Sequence, residues 1–452
     1  MARDPWYRLD NVGRFYSAQA GRAAQTVFRI AAGMSEDVDP GALQRALDRA
    51  LDVFPGFNVT LKSGLFWHYL EQAPSKPKVS HENLPPCAPM HAGPSSVLVR
   101  VSYSGRRINL EMSHMVSDGR GTMQLFRTLV AFYVQERYGV PVELEPYSRG
   151  EEHKTEDSFS ANYERKASGT TAKPKAYRIK GWRDMGAQQF MEVHLSASQV
   201  REAAKVLGVG LTPLLIAAVV CAIRDGMSVR DRERGRAICI TVPVDLRRFF
   251  GSETLRNFFG LAYVSYVPGV EGETLAQVAA DVEGQLRDAT QPDVLKRRMN
   301  RMVKLQKNAA LRVAPVFLKD AVLGLAARVA GREVTTAASN LGRVEMPRGT
   351  EGFVESVVVM TSTTGIDFVM STYGDDLSVG ISSVLVSNDI PRRFVRAFTG
   401  LGVKAVVDLN RTREEVDVAL RQERMEHALL HHGEDACVKS ERPRHALGGD
   451  AS

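Results

Sequence analysis

The chain has 452 residues, 44% of them apolar and 25% charged, with a net charge of +7. That length exceeds one ordinary core, so two domains or one large two-lobed domain are expected, with a composition typical of soluble globular proteins. The charge is mild for the length, and nucleic acid is excluded as a partner, since its binders concentrate basic residues on one element or interleave them with aromatics. The N-terminus, Met1-Ala2-Arg3-Asp4-Pro5-Trp6, has no apolar core segment, which argues against a secretory signal and for a cytoplasmic protein. A helix is expected over 9–20 and a strand over 26–31. Asp39-Pro40 reads as an N-cap followed by proline at the first helical position, opening an amphipathic helix to Val53. Leu43, Ala46, Leu47, Ala50 and Leu51 fall on one of its faces. Pro55 ends it, and 57–61 with 65–70 read as a hairpin whose Trp67 and His68 are expected to be packing residues. Residues 101–112 read as strand, turn and strand, and 122–138 as a helix.

Composition changes after that helix. The stretch 143–175 is dense in charge and then in Lys, Ser, Thr, Gly and Pro, as a linker would be. A second set of elements follows: a strand over 190–195, an N-cap at Ser196 or Ser198, and a helix to about Leu207. The longest apolar run, 211–223, begins at a helix-like Thr212-Pro213 and is too short to span a bilayer, so no transmembrane segment is expected. Strands are expected over 237–244, 354–360, 366–372 and 377–385, with helices over 391–400 and 412–430. The basic stretch 295–307 keeps Leu295, Met299, Met302 and Val303 at helical spacing, so it reads as a surface helix with a solvated basic face. An anionic ligand, such as a nucleotide phosphate, or a membrane surface is the alternative use of its Lys296-Arg297-Arg298 cluster, which does not by itself locate a site. The four cysteines (Cys87, Cys221, Cys239, Cys437) lack metal-like spacing and read as reduced thiols. The division expected is a first lobe over 1–145, a linker over 146–175, a second lobe over 176–436, and a disordered polar tail over 437–452.

The most informative segment is His114-Met115-Val116-Ser117-Asp118-Gly119. A histidine leaving a strand, with an acid four residues on and a glycine beside it, makes a short turn before the next helix. Such a turn can hold a neutral imidazole at a cleft while the carboxylate faces back into the protein. Imidazole is the most available general base near pH 7, suited to taking a proton from a hydroxyl or amine as it attacks an activated acyl group. The plain alternative is a structural histidine bonded to its own turn. No metal site, Gly-rich phosphate loop or Gly-x-Ser-x-Gly motif is found, and no bound cofactor is expected.

Ser113-His114-Met115-Val116-Ser117-Asp118-Gly119 resembles the HHxxxDG signature of the chloramphenicol-acetyltransferase-like superfamily, which includes condensation domains and microbial alcohol O-acetyltransferases. The helix at Asp39-Pro40-Gly41-Ala42-Leu43, the segment 242–250, Arg256-Asn257-Phe258 and Ser339-Asn340-Leu341-Gly342 resemble further elements of that group. The first histidine of the signature is Ser113 here; the second, His114, matches the catalytic one. The resemblance implies an α/β fold of two similar mixed-sheet lobes around a central channel, with acyl-CoA as co-substrate and a small alcohol or amine as acceptor. It implies His114 as the general base and Asp118 as the partner of an arginine from the second lobe, with Arg247 and Arg256 as candidates. Gly119 would allow close approach or a positive φ. Ser339 and Asn340, or alternatively Thr361, Ser362 and Thr363, are candidate oxyanion donors, although an Asn-led turn explains the first pair equally well. A catalytically silent binding relative, and a condensation-type enzyme fed by a carrier protein, are the competing readings.

Overall fold

The computed structural model describes residues 6–19, 26–90, 96–144, 154–165, 175–184, 188–269, 272–307 and 314–410. The expected helix 412–430, the tail 437–452 with Cys437, and most of the linker 146–175 lie outside the described residues.

Two mixed α/β halves each pack helices on a sheet. In the first, Asp39 caps the helix Pro40–Val53 by accepting from Ala42 N at 2.6 Å, and its predicted apolar face is buried. That helix and the helix Gly119–Tyr138 cover a five-stranded sheet in the order Val354–Thr361, Val27–Met34, Arg107–Ser113, Val99–Ser104, Ser80–His81. A small antiparallel sheet joins Trp6–Arg8 to the expected hairpin, Val59–Ser63 and His68–Gln72. In the second half, the helix Leu211–Arg224 is buried from Pro213 to Ile223. It packs on a seven-stranded sheet in the order Phe259–Tyr266, Ile238–Asp245, Thr336–Arg343, Ile366–Tyr373, Asp376–Ser383, Gln189–Ser196, Ala405–Leu409. Thr336–Arg343 runs parallel to both neighbours.

Three corrections to the sequence reading follow. The strand Val354–Thr361, expected among the second-lobe strands, pairs with Val27–Met34 at the edge of the first sheet. It crosses onto the second sheet at Gly380, where a Cβ would stand 2.1 Å from Val359 O, so only glycine admits that contact. Strands Phe259–Tyr266, Thr336–Arg343 and Ala405–Leu409 and helices Leu275–Ala289 and Val316–Ala330 were not predicted. Finally, Trp67 is 58% exposed rather than packed, while His68 bonds Ser63 and Asp320.

Candidate active site

The strand Arg107–Ser113 ends where Val116 N donates to Ser113 O at 2.9 Å, closing a turn that projects His114. His114 N donates to Thr26 O at 2.7 Å, tying the turn to the neighbouring strand. Ser113, in the place of a first histidine, is buried, and its Oγ accepts from Met115 N at 3.3 Å. Four residues on, Asp118 is the N-cap of the helix Gly119–Tyr138.

Asp118 is saturated. Its Oδ1 accepts from Gly121 N at 2.9 Å and Arg247 Nη2 at 3.0 Å; its Oδ2 accepts from Arg247 Nη1 at 3.0 Å and Phe258 N at 2.9 Å. Arg247 is equally committed. Besides the two bonds to Asp118, it donates to Thr254 O, Asp245 Oδ1 and Arg256 O, so all five of its N–H groups have acceptors. The carboxylate beside it raises its pKa against the effect of burial. Of the two candidate arginines, Arg247 therefore makes the pair with Asp118. Arg256 serves the same turn differently: it is buried, donates from Nη1 to Val116 O at 3.3 Å and lies over the Tyr7 ring. Asn257 completes the clamp by donating from Nδ2 to His114 O at 2.9 Å and to Asp10 Oδ2 at 3.0 Å. The turn of the first half is thus held by three consecutive residues of the second, 256–258, together with Arg247.

Glycines set the closeness of this fit. A Cβ on Gly121 would lie 2.1 Å from Leu255 O, and one on Gly119 would lie 3.2 Å from Leu341 Cδ2. Gly119 is not among the positive-φ residues, so of the two reasons expected for it only close approach holds.

The imidazole of His114 is stacked on Tyr16, with ring centroids 5.0 Å apart, and tilted against Phe28 at 4.4 Å. His114 keeps partial exposure, yet its Nδ1 is buried and makes no hydrogen bond among the described residues. Burial pushes its pKa down to about 4, outweighing the pull of the Asp118 charge. The ring is therefore neutral at pH 7. Asp118 touches the backbone and Arg247, so it holds the turn rather than the imidazole. Tyr16 sits on the helix Asn11–Ser17, which Asp10 caps through Gly13 N at 2.7 Å. A Cβ at Gly13 would meet Met115 O at 2.8 Å, which seats that helix on the turn.

The candidate oxyanion donors divide by face. In the strand Thr336–Arg343, Ala338 joins the helix-covered core, whereas Leu341 packs on the first half and against Gly119. Strand alternation puts Ser339 on the Leu341 side. Asn340 is turned the other way: its Nδ2 donates to Thr212 Oγ1 at 2.9 Å, and its Oδ1 accepts from Gly342 N at 2.9 Å. These bonds engage both ends of the Asn340 amide, and its bond to Gly342 N is the Asn-led turn expected as the alternative, made at a register shift of the strand where Gly342 takes a φ of +77°. Ser362 Oγ donates to Val27 O, continuing the pairing of Val354–Thr361 with Val27–Met34, and Thr363 Oγ1 accepts from Gly365 N. Beside Ser339 on the same face, Asp367 accepts from Ala337 N at 2.8 Å, and burial lifts its pKa to about 6. The basic cluster is largely engaged: Lys296 pairs with Glu164 at 2.9 Å and Arg298 donates to Leu261 O at 2.9 Å. Sequence reasoning missed Asp10, Tyr16, Phe28, Asp367 and Gly121. Only Gly121, two residues past the conspicuous Gly119, carried a visible signal.

Residues 193–382 match the family model described as phthiocerol/phthiodiolone dimycocerosyl transferase C-terminus. No curated protein matches the sequence. Polyketide synthase associated protein 5 from Mycobacterium tuberculosis is similar in structure at 14% identity, covering 88% of this chain and 99% of that one, with a TM-score of 0.56. Trichothecene 15-O-acetyltransferase from Fusarium sporotrichioides is similar at 13% identity, covering 88% and 94%, with a TM-score of 0.56. The first condensation domain of the calcium-dependent antibiotic synthetase is similar at 15% identity, covering 88% and 96%, with a TM-score of 0.59. At such identities structural likeness speaks for the fold, and the two-lobed fold is common to all three. The chain therefore has the two-lobed fold of these acyltransferases and condensation domains, and the family match over residues 193–382 agrees with it.

Proposed function

We propose that this chain moves an acyl group, acetyl in the simplest case, from the thioester of coenzyme A to the hydroxyl of an alcohol, with His114 as general base. The neutral imidazole takes the hydroxyl proton as the oxygen attacks the thioester carbonyl. The Ser339 hydroxyl, on the sheet face turned toward the first half, donates to the oxyanion that forms. Collapse of the tetrahedral intermediate breaks the C–S bond, and the leaving thiolate recovers the proton from the imidazolium. Burial of the ring makes that imidazolium costly, which favours its prompt deprotonation. A thioester is already activated, so positioning, one base and one donor suffice.

The observation that carries this reading is an imidazole packed between Tyr16 and Phe28, its buried Nδ1 without a close hydrogen bond among the described residues, on a turn clamped through Asp118, Arg247 and Asn257. A second reading, in which a carrier protein delivers the thioester, is favoured by the pairing of Lys296 with Glu164, which offsets one of the three charges of the cluster that could meet coenzyme A phosphates. The test is release of free thiol from acetyl-CoA on addition of alcohols or amines. His114→Ala should lower that rate by about 10²–10⁴-fold with circular dichroism unchanged. Undiminished turnover in the folded variant sinks the base assignment. Thiol release from a carrier-bound thioester but not from coenzyme A selects the second reading, and release from neither leaves a silent binding relative.

A further inference from the structure

The helix Val316–Ala330 is arranged the wrong way round for an ordinary surface helix. Of its 15 residues only Gly324 is buried. Leu318, Val322, Leu325 and Val329 recur at spacings of four, three and four, on one face, and are 49%, 50%, 62% and 51% exposed; Phe317 beside them is 72% exposed. Two polar side chains in its first turns face the protein instead, while Arg328 near its end stays exposed. Lys319 Nζ donates to Phe66 O at 2.6 Å, Asp320 bonds His68 Nε2 at 3.0 Å, and Val316 N donates to Leu65 O at 3.0 Å. The helix is thus anchored on the hairpin tip by its polar groups and shows its apolar stripe outward.

The tip adds to the same surface, with Leu65 70% and Trp67 58% exposed. Exposed large apolar side chains gathered on one helix face and the adjoining hairpin tip are the kind of patch that marks an interaction site. Arg328 and Arg332 are exposed at the far end of the helix. An apolar stripe, a tryptophan and flanking arginines are what an anionic lipid surface accepts: side chains enter the acyl boundary, indole sits at headgroup level, and arginine meets phosphate. Fifteen residues make a helix about 22 Å long, shorter than the ~30 Å hydrocarbon layer, so it would lie in the interface rather than cross it. Among the described residues no single helix is long and apolar enough to cross a membrane.

We infer that the helix Val316–Ala330 and the Leu65–Phe66–Trp67 tip seat this protein on an anionic lipid surface. The inference does not depend on the chemistry proposed for His114. It is tested by co-sedimentation of the full chain with phosphatidylcholine vesicles, with and without phosphatidylglycerol. Binding is expected with phosphatidylglycerol and should weaken as salt rises. The double variant Phe317→Asp/Leu325→Asp alters only exposed side chains, so its circular dichroism should match the wild type, with vesicle affinity down about tenfold or more. Arg328→Glu/Arg332→Glu should remove the preference for the anionic vesicles. No binding by the wild type, or equal binding by the aspartate variant, overturns the inference. So does a concentration-dependent dimer that the same aspartates abolish in the absence of vesicle binding, since that outcome gives the surface to a second copy of the chain.

Discussion

Replacing Asp118 by alanine should act first on stability. The carboxylate caps a helix, accepts the Phe258 amide and pairs with Arg247 through two bonds, with side chains only 8% and 13% exposed. A lost N-cap costs about 1 kcal/mol, an orphaned buried amide about 1–3 kcal/mol, and a broken buried ion pair about 3–5 kcal/mol. These terms share two oxygens and do not add. Arg247 also keeps Asp245, Thr254 O and Arg256 O, which pulls the ion-pair figure toward its lower end. The expected total is about 3–5 kcal/mol, a large part of a typical stability of about 5–15 kcal/mol. Urea unfolding should show a lower midpoint at unchanged slope. A double-mutant cycle of Asp118→Ala with Arg247→Met should return a coupling of at least about 1.5 kcal/mol. An unchanged midpoint combined with lost thiol release would refute this reasoning and place Asp118 in the chemistry itself.

Two further outcomes follow from the geometry. Because burial holds His114 down to about 4, its base form persists well below the usual histidine range; kcat/KM should stay level from pH 8 to below 6.5, and the limb that belongs to His114 should come only as pH approaches 4. Asp10, pushed up to about 6 by burial and joined to the turn through Asn257, could add a limb of its own, which Asp10→Asn would remove; a limb at 6.5 surviving that change contradicts the buried-base assignment. Gly121→Ala should destabilise by about 1–3 kcal/mol or more, since its Cβ would meet the Leu255 carbonyl, whereas Gly119→Ala meets only the movable end of Leu341 and should cost less. Thermal melts of the two variants check that order, and the reverse order would show that the turn is not seated as described.

Much of the local structure was legible because local rules govern it. Asp39-Pro40 specified a helix start through one capping bond, and the run 211–223 was too uniformly apolar to be anything but buried. The His114 turn was readable for the same reason: strand, turn acid and glycine are neighbours in sequence. Thr336–Arg343 was not, because a strand enclosed by parallel partners needs no alternation and its small polar residues imitate a loop. The choice of Arg247 over Arg256 was beyond reach, since both precede similar apolar segments and only the path of 245–258 decides which guanidinium faces the carboxylate. The crossing of Val354–Thr361 to the first sheet, the stacking of Tyr16 on His114 and the low pKa of that imidazole are likewise products of packing. The sequence alone determined which side chains could do proton chemistry and where a turn would display one. Tertiary structure decided which atoms hold that turn and how dry the imidazole is, because desolvation and hydrogen-bond geometry depend on residues more than a hundred positions apart in the chain.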